Sequence, residues 1–203
     1  LPKRNCDCKR HVFHFDGCIA PFYNVSVAKH AMHTLKFRRN ERIANFFAEQ
    51  MALFVKQCYN DISFDAIKEL INSPWHEMRM CALLILVNNS KKIVTKETFD
   101  FYLSHTKHIN NWDLVDLSAP QIVGKYLLNK DRDILYKLAE SDLLWDNRIA
   151  IVSTLTFIRS NDLDDTFKLS LKMMQHKHDL MHKSIGWMLR EAGKRDEKRL
   201  YDF

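Results

Sequence analysis

Trp112 and Asp116 stand four residues apart in the stretch NNWDLVDLSAP, residues 110–120, where every neighbouring signal is helical. Side chains at i and i+4 share a helix face, about 40° apart in projection. The indole offers a negative π face and the carboxylate a full negative charge. Exposed together, they suit chemistry on an electron-poor or cationic group. Otherwise Asp116 is a helix-surface acid or the ion-pair partner of Arg148, and Trp112 packs in the core.

The elements that position this pair are expected to be helices. Only 4 Gly and 4 Pro occur in 203 residues, too few turn formers for sandwiches or barrels that reverse every 8 to 12 residues or so. The reading is all-α. Ser63 is expected to cap DAIKELI, Ser73 with Pro74 at the first helical position to open WHEMRMCALLILV, and Thr95 to open KETFDFYLSH. Asn111 can cap the helix holding Trp112 and Asp116, which Pro120 should bend or split before QIVGKYLL. DILYKLAE, LLWDNRIAIVSTLTFIR, an Asn161-capped DLDDTFKLSLKMM and HDLMHKSIGWMLREAG follow, the last with Gly193 as its C-cap.

Upstream, Ile43, Phe46, Phe47, Met51, Phe54 and Val55 make one apolar stripe. Residues 1–40 show no sustained helical period and form a separate, less legible segment ahead of a domain at 41–203. Taking Arg79, Asp116, Arg148 and Lys183 as equivalent points gives offsets of 37, 32 and 35 residues. That is the spacing of helical-hairpin repeats stacked into a curved solenoid, whose second helices line one concave surface. Trp112, Asp116, Arg148 and Trp187 are expected to converge there.

Charge adds a bias toward polyanions. The net charge is +6, from 31 cations and 25 anions, with a pI near 9.0. The cysteines are odd in number, with Cys6, Cys8 and Cys18 near the start and Cys58 and Cys81 in helical patterns. This argues against a complete disulfide framework and for a reducing cytoplasm. A C-x-C pair with His11 and His14 lacks the C-x2-C spacing of common zinc sites, so no metal is expected. No apolar run of about 18 residues suggests a membrane span, and LPKRNCDCKRH lacks the apolar core of a signal peptide. Nothing suggests a Gly-rich phosphate loop, a nucleophile elbow or an H-E-x-x-H zinc helix. His76 and Glu77, in the first turn after Pro74, are read as structural.

Longer motifs carry a family resemblance. NNWDLVDLSAP at 110–120, SDLLWDNRIAIVSTLTFIR at 141–159 and HDLMHKSIGWMLREAGKRD at 178–196 closely resemble the AlkD-like DNA alkylation repair enzymes, HEAT-like-repeat DNA glycosylases. INSPWHEMRMCALLILV at 71–87 fits the same family, so the likeness spans about residues 54–203. The first 50 or so residues depart from the family's usual opening, and after RLYDF the family's last helix is expected to be missing.

The resemblance implies a monofunctional DNA glycosylase that needs no cofactor and removes cationic alkylpurines, 3-methyladenine and 7-methylguanine, from duplex DNA. It implies a mode without deep base flipping. It makes Asp116, Trp112 and Trp187 the catalytic cleft and Arg148 its cleft arginine. From spacing alone, Trp187 beside Met188 and Leu189 reads as core. Arg148 borders an apolar run, where its guanidinium should emerge to hold a DNA phosphate or pair internally with Asp116 or Asp146. Lys183, Arg190, Lys194 and Arg195 suit further phosphate contacts, although Glu191, Asp196 and Glu197 dilute that run. A monomer is expected. The alternative is a non-catalytic HEAT-like module that binds DNA or a protein through its concave face.

Overall fold

The computed structural model describes residues 63–203, within the compact unit Ile62–Phe203. The stripe from Ile43 to Val55 and the group Cys6, Cys8, His11 and His14 lie outside the described residues. No strand occurs among the described residues, and the all-helical expectation holds for them. The helices are α1 (Phe64–Ile71), α2 (His76–Asn89), α3 (Lys96–Ser104), α4 (Trp112–Ala119) and a single turn α5 (Lys125–Leu127). After them come α6 (Asp133–Ala139), α7 (Leu144–Arg159), α8 (Asp164–Met173), α9 (Asp179–Gly193) and α10 (Glu197–Asp202).

Three expected caps form. Ser63 Oγ accepts from Ala66 N at 3.3 Å, Thr95 Oγ1 from Thr98 N at 3.1 Å and Asn111 Oδ1 from Trp112 N at 2.8 Å. Each satisfies a first-turn N–H that the helix leaves without a partner. Pro120 reshapes its helix as expected but does not end it. Lacking an N–H, it opens a π-helical turn, Pro120–Gly124, through which α4 runs on into α5.

Three cap assignments are corrected. Helix α2 begins at His76 with Trp75 as an extended N-cap, so Pro74 lies outside the helix. Ser73 Oγ instead accepts from Trp75 N at 3.2 Å, while the Arg79 guanidinium bonds the Ser73 carbonyl at 2.8 Å, holding the chain in a turn there. Asn161 ends α7 rather than starting α8. It takes φ 59°, and the bonds Asn161 N to Ile158 O and Asp162 N to Phe157 O, both 3.0 Å, close the helix in a Schellman motif. Gly193 is the last residue of α9, with Lys194 as the cap. A Cβ there would lie 2.3 Å from Leu200 Cδ2, so its smallness makes room for α10.

Packing follows two rules. Successive helices pair, α1 with α2, α6 with α7 and α8 with α9, and α2, α4, α7 and α9 pack side by side in that order. The side-by-side series is tied by side chains at nearly constant sequence separation. His76 Nε2 meets Asp113 Oδ2 at 2.8 Å, 37 residues on, and Arg148 Nε donates to Asp116 Oδ1 at 2.9 Å, 32 residues back. Thr156 Oγ1 donates to the Pro120 carbonyl at 2.6 Å over 36 residues, and Arg148 Nη1 to the Leu180 carbonyl at 2.5 Å over 32.

Helix α7 is the centre of this layer. Every residue from Asp146 to Leu155 is buried, with Phe157 and Ile158, as befits a helix packed on all sides. By contrast α9 buries only Met181, Ser184, Ile185, Met188 and Ala192, one stripe at helical spacing. Tyr102 of α3 is fully buried. Its hydroxyl pairs with Ser118 Oγ at 2.9 Å, and burial pushes its ionisation well above the ordinary tyrosine range.

Gly124 lets α7 come close. A Cβ on it would stand 2.4 Å from the Ser153 carbonyl oxygen and 2.7 Å from Thr156 Oγ1. Forcing atoms into that contact outweighs any gain in helix propensity. Gly124→Ala is expected to lower the unfolding free energy by about 2 kcal/mol, read from the urea midpoint.

Candidate active site

The Trp112–Asp116 face is built by the first two turns of α4. The N-terminal end is held from two sides: Asn111 caps it, and Asp113 is fixed by His76 of α2. Beside that link, Arg79 Nη2 donates to Asn110 Oδ1 at 3.2 Å. Trp112, the first helical residue, keeps 51% of its surface exposed. One turn later, Asp116 turns its carboxylate toward α7.

There it meets Arg148 in a two-pronged pair. Nε donates to Oδ1 at 2.9 Å and Nη2 to Oδ2 at 2.8 Å, the fork geometry that makes arginine the specific partner of a carboxylate. A third donor, Nη1, is taken by the Leu180 carbonyl in the first turn of α9. The side chain of Arg148 is only 6% exposed and that of Asp116 20%. The guanidinium therefore does not emerge at the edge of the apolar run, as sequence alone suggested. Three of its N–H groups find acceptors inside the protein, and burial follows. Asp146 takes no part: its Oδ2 accepts from Ser141 Oγ at 2.8 Å, and its Oδ1 is buried without a partner.

Trp187 occupies a different place. It is half-buried on α9, two turns beyond Leu180 and so about 10 Å further along the axis. Among the described residues it makes no hydrogen bond or ring contact with Trp112, Asp116 or Arg148. Its indole lines a cavity of about 370 Å³ with Leu155, Ile158 and Arg159 of α7 and Glu191, Lys194 and Arg195. The structure thus joins Asp116 to Arg148 by direct bonds, one turn from Trp112 on the same helix, and gives Trp187 no hydrogen bond or ring contact with them among the described residues.

The expected basic residues are all exposed, and most meet an acid. Lys183 pairs with Asp179 at 2.7 Å, Lys194 with Glu191 at 2.8 Å and Arg190 with Glu191 at 3.5 Å. The hydrogen bond from Lys194 holds the Glu191 carboxyl below the usual carboxylate range. Exposed pairs of this kind are weak and can be exchanged for a phosphate. Arg195 has no carboxylate at ion-pair distance among the described residues.

Sequence reasoning missed Asp113 and reached His76 only as a local structural residue. A signal existed: the 37-residue offset that aligns Arg79 with Asp116 also aligns His76 with Asp113. A second cavity, of about 720 Å³, lies apart from this face and is lined by Lys130, Arg132, Tyr136, Asp165 and Lys168 among others. Its central cation is already committed, since Arg132 Nη1 meets Asp162 at 2.7 Å and Asp165 at 2.6 Å beneath the Phe157 ring.

The bridge between α4 and α7 has a measurable energy. Because Asp116 keeps a fifth of its side chain in water, the coupling falls below that of a sealed pair. A double-mutant cycle of Asp116→Asn with Arg148→Met, read by urea unfolding, is expected to give a coupling of about 1 to 3 kcal/mol. A coupling near zero is inconsistent with the two-pronged bond.

Comparison with known proteins agrees with the motifs. No curated protein matches the chain. The family model described as DNA alkylation repair enzyme matches residues 28–203, beginning ahead of residue 41 and running to the last residue. That match covers most of the sequence and contains the whole Trp112–Asp116–Arg148 cluster, and so the chain belongs to the DNA alkylation repair enzyme family.

Proposed function

We propose that the chain is a monofunctional DNA glycosylase that hydrolyses the N-glycosidic bond of cationic alkylated purines, 3-methyladenine and 7-methylguanine, in duplex DNA. The observation that carries this reading is a partly open carboxylate, Asp116, gripped by the Arg148 fork one turn from an exposed indole, Trp112. Paired helices joined side to side at sequence separations of 32 to 37 residues are the arrangement expected of HEAT-like repeats, with this face taken as the concave, DNA-binding side.

An alkylated purine that carries positive charge is already a good leaving group. When its bond to the deoxyribose breaks, the electron pair leaves with the base and positive charge collects on the sugar. Asp116 stabilises that charge and orients a water, whose oxygen bonds to the anomeric carbon while its proton passes to bulk solvent. Arg148 acts on the carboxylate rather than on DNA: its two bonds set the direction of both oxygens, so no reorganisation is needed as charge develops. Trp112 adds a cation–π contribution on the order of 0.5 to 2 kcal/mol. The lesion stays at the surface of the groove, without flipping into a deep pocket. Trp187, on α9, supplies a second indole to the DNA-binding face.

The lack of any hydrogen bond or ring contact between Trp187 and the Asp116–Arg148 pair among the described residues favours a second reading, a HEAT-like module that binds DNA or a protein without chemistry. Base release decides between them. The purified protein is expected to free 7-methylguanine or 3-methyladenine from methylated duplex DNA, and Asp116→Asn to lose about a hundredfold in rate while still binding the duplex. No release by the parental protein would overturn the enzyme reading; equal rates for the variant would remove Asp116 from the mechanism.

A further inference from the structure

Helix α7 carries two arginines on one face. Arg148 and Arg159 are eleven residues apart, which brings them within about 20° of each other in projection and about 16 Å apart along the axis. Their surroundings are opposite. Arg148 is 5% exposed with three donors engaged, whereas Arg159 is exposed and has no carboxylate at ion-pair distance among the described residues.

Helix capping does not account for Arg159. A basic residue in a last turn is favoured by the helix dipole, but the Phe157 and Ile158 carbonyls near the end of α7 are already served by backbone N–H groups. Ser160 N bonds the Phe157 carbonyl at 2.8 Å, and the Asn161 and Asp162 amides close the Schellman turn. The guanidinium is left to face the cavity it shares with Trp187.

That cavity combines cationic and aromatic side chains. Leu155 and Ile158 supply apolar lining, Trp187 an indole, and Arg159 and Arg195 two planar guanidinium forks. The one acid present, Glu191, is taken by Lys194 through bonds of 2.8 and 3.0 Å. At about 370 Å³ the cavity falls within the 300–1,000 Å³ or so of ligand pockets. Forked donors match a phosphodiester, and the indole suits the sugar attached to it.

We infer that Arg159, rather than Arg148, is the phosphate-gripping arginine of α7, and that with Arg195 and Trp187 it seats a sugar-phosphate unit of duplex DNA about three helical turns from Asp116. This rests on the reading of the concave face as the DNA-binding side. It divides the labour along one helix: Arg148 sets the carboxylate, and Arg159 sets the strand.

The test is the binding of a fluorescent undamaged duplex, followed by anisotropy between about 50 and 200 mM salt. Arg159→Ala, and Arg159→Gln, which keeps part of the stem, are expected to weaken binding about fivefold. Both should also flatten the slope of log affinity against log salt by about one. Lys168→Ala removes the same charge from an exposed position on α8 and is expected to match the parental slope. Parental slopes in the Arg159 variants, or an equal loss in Lys168→Ala, would overturn the assignment alone. A parental protein that does not bind duplex DNA would overturn the DNA-binding reading and this assignment with it.

Discussion

One guanidinium holds the candidate site together. Arg148 reaches from α7 to a carboxylate on α4 and to a backbone carbonyl at the start of α9, so three helices meet at a single planar group. Burying a cation this far from water is costly unless its donors are matched. The match here is with one acid and one main-chain oxygen. The same bonds that offset burial also remove rotational freedom from Asp116, and stability and preorganisation have one source.

The rest of the layer serves that junction. Helix α4 is pinned at its start by Asn111 and by His76, and further along by Thr156 on the Pro120 carbonyl. Gly124 removes the side chain that would hold α7 away, and Tyr102 braces Ser118 from behind. With α4 fixed at these points, Trp112 can remain half in water without its helix moving. An exposed indole on a fixed backbone loses little freedom when it meets a ligand.

Much of this was legible in the sequence because it depends on local chemistry. Ser63, Thr95 and Asn111 cap helices where their hydroxyls or amide predict. The i, i+4 spacing put Trp112 and Asp116 on one face, and the offset of 32 residues brought Asp116 opposite Arg148. What was not legible depends on competition between neighbours. Asn161 had two helices to cap, and its left-handed backbone assigned it to α7. Ser73 lost its helix to a turn stabilised by Arg79. An arginine beside an apolar run can point in or out, and no periodicity reveals that a carbonyl from Leu180 waits inside. Motif likeness alone grouped Trp187 with the others, because its place beside Met188 and Leu189 reads as core.

The π-helical turn at Pro120–Gly124 has a consequence for phase. A π turn takes up one more residue than an α turn before the chain comes round again. Side chains beyond it are therefore displaced around the axis from the line set by Trp112 and Asp116. Both segments bury one face, Leu114, Val115, Ser118 and Ala119 before the dislocation and Ile122, Val123 and Leu127 within and after it. The extra residue shifts the phase of the buried stripe, so the chain can keep contact with the core on both sides of a proline that donates no backbone bond.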